Sequence, residues 1–235
     1  MKFVDADSAK LIAYLASNEL LKSSDQRQDV CSLTAINLSI GGSSLRSVPD
    51  CMSFALGRVI TGLQDTMSHE MRNSDRYKNL LPHMAATGRN REQERRKILT
   101  DWMWISVLPA VQSHADEVGV GTEWHAMSTE RPQATALAAF DVADAAGRAC
   151  WVNAAEHPEG SVAFASERAA DTLEYLSYVA ADAYDSLKTK MDGDAALSVA
   201  RATQTSAWIA RKTPDQFLAK IDPVGVLERA TFLAP

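Results

Sequence analysis

The stretch DCMSFALGRVITGLQDTM at residues 50–67 places Leu56, Val59, Ile60, Leu63 and Met67 at steps of three and four. That spacing puts five apolar side chains on one side of an amphipathic helix, with Ser53 where an N-cap hydroxyl would accept from first-turn amides. Arg58, Thr61, Gly62 and Asp65 share another face. A neighbouring backbone is expected to approach at Gly62, with Arg58 and Asp65 as an ion pair that orients the packing. A second helix is predicted from Ser74, a good cap, with Asp75 in its first turn. Pro82 either kinks that helix or divides it in two, and Thr87-Gly88 reads as a stop. A third begins solvated, from Asn90 through Arg91 to Lys97. It turns apolar from Ile98 to Leu108 as if entering a core, and Pro109 is expected to end it.

Upstream, Asp7 or Ser8 can cap a helix bearing Leu11, Ile12, Leu15 and Leu21 along one side, with Tyr14 beside them. Val30 to Ile40 alternates well enough for a strand and also suits a short buried helix. Helix is favoured, because no second strand candidate exists to satisfy a lone strand's backbone groups. Gly41-Gly42-Ser43-Ser44 lacks the Lys-Ser/Thr ending of a phosphate loop, so no cofactor is expected from it.

Downstream, residues 113–132 show no clean period and read as a connector between an N-terminal helical region, 1–112, and a C-terminal region, 133–235, packed on it as one globular unit. From Gln133 to Arg211 about three residues in ten are alanine, the best helix former. A helix over Ala134 to Ala149 is expected, then a long one from Ser161 to about Lys190. On the latter Val162, Ala169, Leu173, Leu176, Ala180, Ala183 and Leu187 form a coiled-coil-like seam. Asp192-Gly193-Asp194 breaks the chain, and Leu197, Ala200, Gln204, Ala207 and Trp208 line a third helix. Small residues along a seam let helix axes come close, which predicts a tight antiparallel bundle. Phe140, Trp151, Phe164, Tyr175, Tyr178 and Tyr184 would fill gaps or lie on an outer face, with core the favoured reading. Thr213-Pro214 and Asp222-Pro223 each announce a short terminal helix. The fold class is therefore all-α, a multi-helix bundle.

At 235 residues with a net charge of −6 the chain has no general phosphate-backbone signature. Its one basic cluster, Arg89 to Lys97, is interrupted by Glu92 and Glu94. Cys31, Cys51 and Cys150 are too few and too widely spaced for a disulfide framework or a metal knuckle, which points to a reducing, cytoplasmic setting. The N-terminus lacks a secretory pattern and no apolar run reaches membrane length, so neither export nor a membrane role is expected.

The five histidines make no zinc-protease or di-iron spacing, no serine sits in Gly-x-Ser-x-Gly, and the cysteines lack a local catalytic signature. No metal is expected. An enzymatic alternative, a small helical hydrolase or nucleotide-handling protein, would gather Asp65, Arg72, Glu92, Glu94 and Asp101 at a cleft. Leu33-Thr34-Ala35-Ile36-Asn37-Leu38, Asp50-Cys51-Met52-Ser53, Gly62-Leu63-Gln64-Asp65, Leu80-Leu81-Pro82 with Thr87-Gly88, Glu94-Arg95-Arg96 and Asp101-Trp102 resemble a group of uncharacterised α-helical proteins of phages, prophages and bacterial genomes. A weaker likeness, mostly of composition, is to bacterial immunity proteins. The resemblance implies no catalytic residues. The leading expectation is a helical protein-interaction protein that blocks or sequesters a host or defence component. Arg58, Asp65, Arg72, Tyr175 and Tyr178 are its candidate binding residues, and a homodimer is expected through Ser161 to Lys190.

Overall fold

The computed structural model describes residues 2–21, 31–42, 47–157, 161–188 and 192–233, and among them no strand occurs. Val30, Ser43, Ser44 and the expected end of the long helix at residues 189–190 lie outside the described residues. The chain divides into two compact units, residues 1–100 with 190–200 and 222–235, and residues 101–189 with 201–221. This differs from the division expected at 113–132, because the chain returns to its first unit twice.

The first unit contains α1 (Asp5–Ser17), α2 (Ser32–Ser39), α3 (Phe54–Thr66), α4 (His69–Asn73), α5 (Asp75–Ala85), most of α6 (Glu92–Trp102), the start of α12 (Asp192–Ile209) and α14 (Pro223–Thr231). The stretch that could have been strand or helix is helix over Ser32–Ser39, α2, with Leu33, Ala35 and Ile36 buried. Serine hydroxyls start three of these helices: Ser53 accepts from Leu56 N, Ser68 from Met71 N and Ser74 from Tyr77 N. Asp222 does the same for Gly225 N, with Pro223 at the first helical position. The expected cap of α1 is displaced: the helix starts at Asp5, and Asp7 instead accepts from Val4 N at 3.2 Å. Pro82 lies inside α5 without dividing it. All five of Leu56, Val59, Ile60, Leu63 and Met67 are enclosed, against a core that includes Leu11, Leu15, Leu81, Met84 and Leu227. At Gly62 a Cβ would sit 2.7 Å from the Cβ of Ala200, so α12 occupies the space that the missing side chain leaves.

The second unit starts at the end of α6, where Met103–Val107 forms one π-helical turn with Leu108 N donating to Met103 O. The wider turn carries the helical path past Pro109, which has no amide, into α7 (Leu108–Ala110) instead of ending it there. Residues 113–132, expected as a connector, are largely helical: α8 (Gln112–Glu117) and α9 (Gly121–Glu130) bury Ala115, Trp124 and Met127. Helices of so few turns are too short to display a period. Trp124 Nε1 donates to Leu108 O at 2.9 Å, fixing α9 against α7. The rest is α10 (Gln133–Glu156), α11 (Ser161–Lys188), the end of α12 and α13 (Pro214–Ile221).

Helices α10 and α11 form a long antiparallel hairpin. Residue numbers that meet across it have a nearly constant sum: Asn153 Nδ2 donates to Ser166 Oγ at 2.7 Å, and a Cβ on Gly147 would lie 3.4 Å from the Cβ of Leu173. The buried line of α11 runs Ala163, Ala170, Leu173, Leu176, Val179, Ala180 and Ala183. Val162, expected in that seam, is exposed, and so is Trp208, expected in the line of α12. The expected seam holds at Leu173, Leu176, Ala180 and Ala183 of α11 and slips by one residue at its start, and the line of α12 sits about one residue from the expected register. In alanine-rich helices almost every face looks apolar, and periodicity alone cannot fix the phase.

Candidate functional site

Of the polar residues expected to gather at a cleft, Glu92, Glu94 and Arg72 make contacts with different parts of the first unit. Both carboxylate oxygens of Glu92 accept from the first amides of α3, Phe54 N at 3.0 Å and Ala55 N at 2.9 Å. Those amides have no partner within the helix, and the N-terminal dipole favours the charge. Both oxygens of Glu94 are held by Arg91 at 2.6 and 2.8 Å. Glu92 is thus committed to capping, and Glu94, though exposed, is paired with Arg91. Arg58 lies over the ring of Phe54, 4.9 Å from its centroid. Arg72 is buried and donates to the carbonyls of Gln64, at 3.1 Å, and Met67, while Asp101 belongs to the second unit. Arg72 and Asp65 both bear on the enclosed hydroxyl of Tyr77, which is paired with Ser32 Oγ at 2.9 Å and whose pKa burial pushes up. This cluster ties α2, α3 and α5 together and has no opening to solvent at Tyr77. Among the described residues no group of His, Cys, Asp and Glu is placed to hold a metal ion.

An open, chemically varied surface lies in the second unit, on the α10–α11 hairpin and the adjoining end of α12. Gly147 leaves a groove of about 280 Å³ between the hairpin's two helices, lined by Asp144, Arg148 and Trp151 on one side and Glu174, Ser177 and Tyr178 on the other. Asp144, Arg148 and Trp151 follow each other at four and three, and Ser177 and Tyr178 lie three and four residues after Glu174, so each set is one helix face. Tyr178 donates to Glu174 Oε1 at 2.5 Å, and this bond holds its phenol above its ordinary pKa. Arg148 pairs with Asp144. A second groove of about 310 Å³ continues from Tyr178 past Asp182 to Arg201, Gln204 and Thr205 of α12. Tyr175 meets Tyr178 and Trp208 edge-on, with centroids 6.4 and 6.1 Å apart, and Arg211 covers Trp208 at 5.2 Å.

The aromatic residues of this half divide differently from the expected core placement. Trp151, Phe164 and Tyr178 are exposed, and Phe140, Tyr175 and Tyr184 are half-buried. Alanine, leucine and valine already close the seam, so it has no gap for a ring. Of the expected binding residues, the structure brings Tyr175 and Tyr178 together and places Arg58, Asp65 and Arg72 in the first unit. Sequence reasoning favoured the core for Trp151 and missed the pair Asp182–Arg201. The signal for the latter was an acidic residue between Val179 and Ala183 on an otherwise apolar line. No protein-family model, no curated protein and no solved structure matches the chain.

Asp182 is nearly enclosed, and Arg201 Nε donates to its Oδ1 at 2.9 Å. Burial outweighs the arginine and pushes the carboxyl up from 3.8 to about 6. The folded chain then holds this proton more tightly than the unfolded chain, so the group's contribution to stability is fully present below pH about 4. That contribution is lost as pH rises towards about 6, a change of up to about 3 kcal/mol for two pKa units. Asp182→Asn is expected to flatten this part of the pH–stability curve. In the parent protein the Asp182 carboxyl carbon should titrate near pH 6 by NMR, and a midpoint near 4 would show that Arg201 dominates.

Proposed function

We propose that this chain is a helical protein-binding module that engages its partner through the α10–α11 hairpin and the adjoining end of α12. In keeping with the resemblance noted above, binding would block or sequester a host or defence component. The observation that carries this reading is the pair Trp151 and Tyr178, about half exposed at 44% and 49%, lining one groove between the two helices of the hairpin. Trp, Tyr and Arg are enriched among the residues that anchor protein interfaces, and Trp and Tyr present large area at low conformational cost. Large exposed rings that are grouped rather than scattered mark such surfaces.

The test is site-specific photo-crosslinking in cells, with a photoreactive phenylalanine analogue at position 151, at 178, or at Asp116 on α8 as a control. Positions 151 and 178 are expected to give the same adduct, and position 116 is expected not to. An adduct of twice 25.6 kDa would make the partner a second copy. Equal labelling from all three positions, or none from 151 and 178, would reject the reading.

A further inference from the structure

Residues 133–188 contain nine of the 30 Asp and Glu but only three of the 24 Lys and Arg. Their net charge is therefore −6, the charge of the whole chain, while the other residues balance at 21 of each sign. The acidic excess thus coincides with the hairpin that bears the exposed rings. In the groove, Asp144, paired with Arg148, and Glu174, accepting from Tyr178 at one oxygen, stand with Trp151 and Tyr178. Aromatic faces beside carboxylates suit a guanidinium or ammonium group, which gains both ring attraction and charge pairing. The chain makes the same contact with itself where its own arginines reach a ring: Arg168 lies 5.6 Å from the Phe164 centroid and Arg89 5.1 Å from that of Phe54. The groove's 280 Å³ suits one long side chain and falls at the lower edge of small-molecule sites.

Building on the protein-binding reading, we infer that this groove receives a lysine or arginine side chain from a basic segment of the partner protein. A second copy would bring another hairpin of charge −6 against the first, and like charges suppress such pairing. Nucleic acid and anionic lipid surfaces are disfavoured by the same sign.

The experiment is fluorescence anisotropy with the full chain and labelled twelve-residue peptides, one lysine-rich, one arginine-rich and one glutamate-rich, at 50 and 500 mM NaCl. The two basic peptides are expected to bind, weakening about tenfold with salt, and the acidic one is not. Trp151→Ala and Glu174→Lys are each expected to weaken binding about tenfold with unchanged circular dichroism. Both side chains are exposed, and Tyr178→Ala serves as a second variant if Trp151→Ala alters the fold. Absence of binding by basic peptides, equal binding of the acidic peptide, or full affinity in both Trp151→Ala and Glu174→Lys would overturn the inference. A crosslinked partner that meets positions 151 and 178 with an acidic or neutral segment would overturn it too, while leaving the protein-binding reading intact. Failure of crosslinking and peptide binding together would remove both.

Discussion

Gly62→Val is expected to cost about 3 kcal/mol or more, a large share of the roughly 5–15 kcal/mol that holds a domain of this size together. A Cβ at this position would lie 2.7 Å from the Cβ of Ala200 and 3.3 Å from its Cα and carbonyl oxygen. Two of those three atoms are backbone of α12, so relief requires moving a helix rather than turning a side chain. Even Gly62→Ala has opposing effects: helix propensity gains about 1 kcal/mol, whereas overpacking typically costs about 1–3. Overpacking wins, and valine adds two further carbons and a stiff χ1. Gly147 supplies the comparison, because its added Cβ meets the Cβ of Leu173 at 3.4 Å, an ordinary contact. Gly147→Ala is therefore expected to be neutral or stabilising. Urea midpoints for the three variants check this directly. A parent-like midpoint for Gly62→Val would mean that α3 and α12 do not meet there.

Trp102→Ala should be comparably damaging, at about 3–5 kcal/mol, the range for removing a large buried aromatic. The indole is 3% exposed, and its Nε1 donates to Ile221 O at 2.5 Å. Ile221 is the last residue of α13, and its carbonyl has no acceptor role left within that helix. Trp102→Phe keeps most of the ring and strands that carbonyl. It should cost about 1–3 kcal/mol, so the difference between the two variants separates packing from hydrogen bonding. Thermal unfolding of both variants is the measurement, and an unshifted melting temperature for Trp102→Ala would contradict the burial.

The all-helical architecture was legible because the decisive signals were local. Ser53, Ser74 and Asp222-Pro223 mark helix starts through bonds made within three residues, and the stripe from Leu56 to Met67 repeats with the helix's own period. Gly62 was legible for a related reason, since a glycine amid good helix formers signals a close neighbour. What was not legible depends on partners far away in the chain. Nothing near Glu92 indicates that its carboxylate caps a helix starting 38 residues earlier. Nor does local sequence show that Trp151 and Tyr178 face one groove, which follows only from the pairing of α10 with α11. Where alanine marks no face, at the start of α11 and along α12, the register slips and Val162 and Trp208 turn outward, whereas Leu173 and Leu176 hold the middle of the seam in place.

The π-helical turn at Met103–Val107 acts as a phase shifter. Each residue of an α-helix advances the chain by roughly 100° about the axis, so one residue added to a single turn swings everything after it by about that angle. In an unbroken α-helix, positions two apart point to nearly opposite sides. Here Trp102 and Trp104 are both enclosed, while Ile105 between them and Val107 is left 59% exposed. Deleting one residue from this turn would restore a regular coil and turn the bearing of Val107, Leu108 and all of α7. A shorter and locally more ideal helix would then aim its apolar side chains away from the places that now receive them.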